Sequence, residues 1–373
     1  MRRAFAITIA MIELGGCGGS STPASSCRGN SADALWVASD YVSAEVGGLS
    51  LLEGVVSQAS GIDLGGDPAL AVSRGRAFCV VRDQNALVEL EPRCGTPISR
   101  VLVPSPAGAT GALDPQDVGV AQNGSLWVPL FEAPALVVMS TSGALSRSLD
   151  LSPYDSDGNP NASSIAIVDT HLGEKAFVVL ERLDAQLIPY QAAWMLRIDV
   201  ATGIVEGHTE LAGRNPFGPI VAEGGALWLS DPGSWSDANE ANAGVEQFDP
   251  ETDATSLVVA ESALGGSVVQ VAVSASCGVA IVADSTSENA TSLVTFDAND
   301  GTVLSAAANS PLTTPGYDLE GLDVVGGMVV VGDRRRADLG YPVHVFGMTD
   351  SCVLSLQRDL VLALPPVSVR QAP

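Results

Sequence analysis

Ala34-Leu-Trp-Val37, Ser125-Leu-Trp-Val128 and Ala226-Leu-Trp-Leu229 are three versions of one short apolar phrase. Four more runs of like length accompany them: Ala77-Phe-Cys-Val80, Ala176-Phe-Val-Val179, Val279-Ala-Ile-Val282 and Met328-Val-Val-Val331. In chain order their first residues stand 43, 48, 51, 50, 53 and 49 apart. A period of about 40–50 residues built from short strands is the signature of a propeller blade. Seven runs predict seven blades.

Each run is followed by a second strand: Leu49-Ser-Leu-Leu52, Ala86-Leu-Val-Glu-Leu90, Ala135-Leu-Val-Val-Met139, Trp194-Met-Leu-Arg-Ile198, Gly244-Val-Glu-Gln-Phe248, Ser292-Leu-Val-Thr-Phe296 and Val343-His-Val-Phe346. Polar turns such as Ser142-Gly143, Thr202-Gly203 and Asn299-Asp300-Gly301 come next. Their residues adopt positive φ or bond their own backbone, and a third strand follows. Before six of the seven runs lies a further strand, as in Pro68-Ala-Leu-Ala-Val72 and Val269-Gln-Val-Ala-Val273. The fold class is therefore all-β, a seven-bladed β-propeller of four-stranded antiparallel blades. The first blade lacks its innermost strand. Pro365-Pro-Val-Ser-Val-Arg370 resembles Pro68-Ala-Leu-Ala-Val-Ser-Arg74, so the C-terminal strand is expected to complete that blade and close the ring, removing the exposed edges.

Ala193-Trp-Met-Leu-Arg-Ile-Asp-Val-Ala-Thr-Gly-Ile-Val205 and Ser292-Leu-Val-Thr-Phe-Asp-Ala-Asn-Asp-Gly-Thr-Val303 look like the repeat unit of YVTN/NHL-type seven-bladed β-propellers. The resemblance covers nearly all of the chain beyond its N-terminal segment. It implies a bacterial envelope protein and leaves the activity open, because many functions share this fold.

The N-terminus reads as an address. Arg2 and Arg3 precede an apolar run from Ala4 to Ile12, too short to span a bilayer, and Leu14-Gly-Gly-Cys17 follows. This resembles a bacterial lipobox, which implies lipidation of Cys17. The expected organisation is a lipoprotein signal peptide over 1–16, a flexible tether over 17–30 and the propeller over 31–373. Localisation is then the cell envelope, anchored by lipid in the outer membrane and facing the periplasm or the cell surface. Acidic residues outnumber basic ones by 43 to 18, for a net charge of −25. That balance argues against nucleic acid as a partner, and the chain is read as a monomer touching membrane only through its lipid.

The repeat register pairs the remaining cysteines. Cys27 and Cys277 fall at a–b turns, and Cys94 and Cys352 at the c–d turns of the following blades. An antiparallel meander puts both turn types on one face, so Cys27–Cys94 and Cys277–Cys352 are expected, with Cys79 free in a strand. A Cys79–Cys94 bridge is disfavoured, because the hairpin sets Cys79 opposite about Glu89, farther from Cys94 than a disulfide spans.

The d–a and b–c loops share the other face. They gather Asp67, Asp114, Gln116, Asp117, Asn161, Asn215, Trp235, Asp318 and Glu320 into a candidate binding face. Asp155-Ser-Asp157-Gly-Asn159 alternates hard oxygen donors around a glycine, which suits Ca²⁺; a plain Asx-rich turn is the alternative. The three histidines, His171, His208 and His344, lie away from that face and read as structural. Three functions follow, the weakest a quinone-linked dehydrogenase or lyase propeller, which so few histidines and so little aromatic content disfavour. The first is a lipid-anchored, non-catalytic propeller binding a protein or glycan through the d–a/b–c face. The second resembles the lactonase and gluconolactonase propellers, divalent-metal hydrolases, and would draft Glu320, Asp318, Asn215 and Asp117 as ligands.

Overall fold

The computed structural model describes residues 31–59, 63–109, 111–234, 240–284 and 290–373. Seven antiparallel sheets stand in a ring, each a meander of strands a to d counted outward from a central channel. Blade 1 is built of Pro366–Gln371 (a), Ala34–Ser39 (b), Ala44–Ser50 (c) and Gly54–Ala59 (d). Blade 2 uses Pro68–Ser73, Arg76–Val81, Ala86–Leu90 and Pro97–Leu102, and blade 3 Gly119–Val120, Leu126–Pro129, Ala135–Met139 and Leu145–Asp150. Blade 4 has Ala162–Thr170, Gly173–Leu180, Trp194–Asp199 and Val205–Glu210. Blade 5 has Val221–Glu223, Ala226–Asp231, Gly244–Asp249 and Ala254–Ala260. Blade 6 is made of Ser267–Ser274, Cys277–Ala283, Thr291–Asp297 and Val303–Ser305, and Leu312–Thr314 also pairs with its strand c. Blade 7 closes the series with Leu319–Val325, Met328–Asp333, Tyr341–Met348 and Leu354–Leu362.

All seven apolar runs fall in strands b. The C-terminal strand pairs antiparallel with the first of them, Ala34 opposite Gln371 and Val37 opposite Ser368. One expected strand needs correction. In blade 1, Leu49 and Ser50 end strand c rather than begin it, and Leu51 and Leu52 occupy the turn. Strand a of blade 5, expected to begin at Gly218-Pro-Ile-Val221, likewise starts only at Val221.

The core is divided. Seven apolar clusters lie one between each pair of neighbouring blades. Strand b of blade 2 serves two of them: Ala77, Cys79 and Val81 pack toward blade 1, while Phe78 and Val80 pack toward blade 3. A strand buried on both faces has no polar face to alternate with, so it reads as a continuous apolar run.

Strands a of adjacent blades belong to separate sheets, and side chains bridge them instead. Ser368 Oγ accepts from the Leu70 N–H (3.3 Å), Ser73 Oγ from Val120 (3.0 Å) and Asp117 Oδ2 from Ile165 (3.1 Å). Gln270 Oε1 accepts from Gly321 and Leu322, and Asp323 Oδ2 from Gln371 (2.7 Å). Each acceptor lies one blade before its donor. Backbone donors near the channel are thereby satisfied without a continuous sheet.

The blades are also tied at the a–b/c–d end. Cys277 and Cys352 form a disulfide between blades 6 and 7, with Cα atoms 5.4 Å apart. His171, in the a–b turn of blade 4, contacts Glu251 in the c–d turn of blade 5, the same blade-to-next geometry. Cys94 is disulfide-bonded and Cys79 is free and buried. Cys27, like Cys17 and Trp235, lies outside the described residues.

Candidate functional site

The channel narrows at a waist formed by Leu70, Asp117, Pro219 and Arg370, which line the cavities on both sides of it. Above the waist, at the d–a/b–c end, is a cavity of about 290 Å³. Below it a second of about 300 Å³ is walled largely by Val, Ile and Ala side chains.

The upper cavity draws on a repeated position, one or two residues past the end of strand b. Its N–H donates back to the incoming d–a loop: Arg82 to Asp67 O, Phe131 to Asp114 O, Glu181 to Asn161 O and Arg334 to Asp318 O. This clamp fixes the backbone at the start of each b–c loop. Arg82 and Glu181 consequently occupy equivalent places on blades 2 and 4 and line the same cavity with Phe131.

Most of the mouth's charges are matched. Arg82 Nη2 pairs with Asp67 Oδ1 (2.7 Å), and its Nη1 donates to Gln116 Oε1 (3.1 Å). Arg334 Nη1 pairs with Glu320 (2.7 Å), donates to the Tyr41 hydroxyl (2.6 Å) and holds its guanidinium over the Tyr41 ring. Asp117 accepts the N–H of Val118 on one oxygen and that of Ile165 on the other. Burial nevertheless pushes Asp117 up to about 6, against those two hydrogen bonds and the charge of Arg370. Asp114 also rises to about 6, through burial opposed by Arg82 and reinforced by Asp67 and Glu132.

Glu181 is different. It is 5% exposed, and among the described residues no cationic side chain forms an ion pair with it. Burial pushes its carboxyl up to about 8, the Ser163 hydroxyl opposing this and the Asp114 charge adding to it. Ser163 and Ser164, on strand a of the same blade, also line the cavity, and neither hydroxyl has a geometrically sound hydrogen bond. Buried polar groups are normally paired, so two serine hydroxyls beside a carboxyl that has no cation mark an unfilled requirement.

The expected binding face is distributed as follows. Asp67, Asp114, Gln116, Asp117 and Glu320 gather around the mouth with Arg82. Asn161 takes positive φ (52°), accepts the Leu183 N–H on its side chain and reaches Phe131 O, so it positions the wall rather than facing a ligand. Asn215, also at positive φ (56°), donates to Gly233 O, and Asp318 accepts the Gly316 N–H. In the 155–159 loop, Asp155 Oδ1 accepts from Ser156 and Gln191 and contacts the Tyr190 hydroxyl, while Oδ2 has no partner. Asp157 accepts the Asn159 N–H, and Asn159 donates to Phe131 O. Among the described residues no three His, Cys, Asp or Glu side chains form a metal cage. Glu181, Ser163, Ser164 and Arg370 escaped the sequence reading. The register held the signal, since Glu181 is the first residue after an apolar run, where Arg82 stands in its blade.

No family model matches the chain, and no curated protein does. Solved structures do. A protein from Lactobacillus plantarum superposes with a TM-score of 0.57 at 14% identity, over 90% of this chain and 98% of that one. AztD of Citrobacter koseri gives 0.55 at 12%, over 90% and 96%. Virginiamycin B lyase from Staphylococcus aureus gives 0.51 at 11%, over 81% and 87%. The likeness is one of fold. A lyase stands among these structures, so the fold by itself leaves the activity open.

Proposed function

We propose that the protein is a non-catalytic binding module of the cell envelope, anchored by a lipid on Cys17, that engages a partner through the d–a/b–c mouth. Of the two partner classes, protein and glycan, a protein bearing basic groups fits better. The observation that carries this reading is Glu181, a buried carboxyl that lines the mouth and, among the described residues, has no cationic partner. The net charge of −25 supports it, since a negative field draws basic partners toward the channel and repels acidic ones. The metal-hydrolase reading asks for free ligand oxygens. Glu320 is instead held by Arg334, Asp117 by two backbone donors and Asp318 by the Gly316 N–H.

Site-specific photo-crosslinking in cells tests the proposal. A photoreactive residue replacing Phe217, which is 42% exposed at the mouth, is expected to yield discrete protein adducts. One replacing Leu172, in the a–b turn on the opposite face, is expected to yield none. Adducts from Leu172 alone, or a glycan adduct at Phe217, would contradict a protein partner at the mouth.

A further inference from the structure

We propose that the group admitted by the mouth is the protonated primary amine of a partner's lysine side chain, held by Glu181 with the hydroxyls of Ser163 and Ser164. The inference rests on the reading of the mouth as a binding site and names what enters it.

Size comes first. Small-molecule pockets run from about 300 to 1,000 Å³, so a cavity of about 290 Å³ admits one side chain rather than a large ligand. Charge comes second. Asp67 and Glu320 each have an arginine, and Asp117 has two N–H donors, whereas Glu181 has no cation. A buried carboxylate without a counter-charge is costly, so the empty site keeps Glu181 neutral. An arriving ammonium supplies the missing charge, and the Glu181 proton leaves to solvent as the ion pair forms.

Donor geometry decides between the cations. An ammonium carries three N–H donors around a compact centre, whereas a guanidinium presents a planar fork. Blade 4 offers three acceptors, the Glu181 carboxylate on the b–c loop and two serine hydroxyls on strand a. Asp114 adds a second negative charge nearby, and Phe131 lines the same cavity as an apolar wall for the methylene stem. The clamp at Asn161 fixes both features, accepting the N–H groups of Glu181 and Leu183 while reaching Phe131 O.

The test is calorimetric titration of the full chain with Nα-acetyl-lysine amide at pH 7, in two buffers of different ionisation enthalpy. Binding is expected at one site, in the millimolar to micromolar range, with a proton released to the buffer. Glu181→Gln should weaken it at least about tenfold while leaving the melting temperature at pH 7 unchanged or higher, and Ser164→Ala should weaken it several-fold. Absence of binding, or binding indifferent to Glu181→Gln, would overturn the inference. So would Glu181-dependent binding of glucosamine or Ca²⁺ in place of the lysine probe. The two readings fail separately. Protein adducts at Phe217 without lysine-probe binding remove the amine and keep the mouth, whereas probe binding without adducts keeps the site and removes the protein partner.

Discussion

His344, on strand c of blade 7, donates through Nδ1 to Asp359 (2.7 Å) and faces Asp333 through Nε2 (3.4 Å). Burial works against the charged imidazole, but hydrogen bonds and charges from Asp333 and Asp359 outweigh it and raise the pKa. A group whose folded pKa is raised stabilises fully below its unfolded pKa, about 6.5, and loses that contribution as pH rises through the folded value. His344→Gln is therefore expected to cost about 2 kcal/mol at pH 5.5 and measurably less at pH 9, read by urea denaturation at both pH values. An equal loss at both would mean that the imidazole is only packing. At this scale the sequence is least legible. Asn161 and Asn215 look like ligand-facing amides and act as backbone clamps, Asn161 reaching Phe131 O on the neighbouring blade and Asn215 the Gly233 carbonyl of its own b–c loop, contacts that only the folded chain brings together. Glu181 looks like a solvated loop residue and is buried, because only the closed ring covers it.

Strands b were legible for a physical reason. Phe78 and Val80 face one neighbour and Ala77 and Cys79 the other, so every position along the run demands an apolar side chain. Strand a of blade 3 was expected over Gln116-Asp-Val-Gly-Val120, and only its last two residues, Gly119–Val120, pair as strand. The turns carried register, and the Cys277–Cys352 bridge followed from it. That bridge closes 75 residues of chain between blades 6 and 7. In the loop-entropy account such a closure contributes about 4.5 kcal/mol. Replacing both cysteines by serine is expected to lower the thermal midpoint by several degrees without altering far-UV circular dichroism. A midpoint equal to that of the parent would show that blades 6 and 7 are held by packing alone.

The molecule as a whole has no continuous core, and its stability is a chain of nearest-neighbour interfaces closed into a circle. One strand makes the circle. Pro366–Gln371 pairs with Ala34–Ser39, accepts the Leu70 N–H through Ser368, and places Arg370 at the channel waist. Deleting residues 366–373 should turn one cooperative transition into a broad one and bring multimers onto a size-exclusion column, because strand b of blade 1 would present an open edge. A synthetic peptide of those residues should restore the sharp melt. A truncated chain that melts as the parent does would show that closure is dispensable. The same strand also sets a timetable. A chain made from its N-terminus exposes blade 1 first and completes it last, so Trp36 and its strand wait beside an empty place while six blades assemble. Closure then doubles as a check on length: a product that stops short of Pro366 keeps an open edge for proteases and holdases to find, and only chains that reach the end are sealed against them.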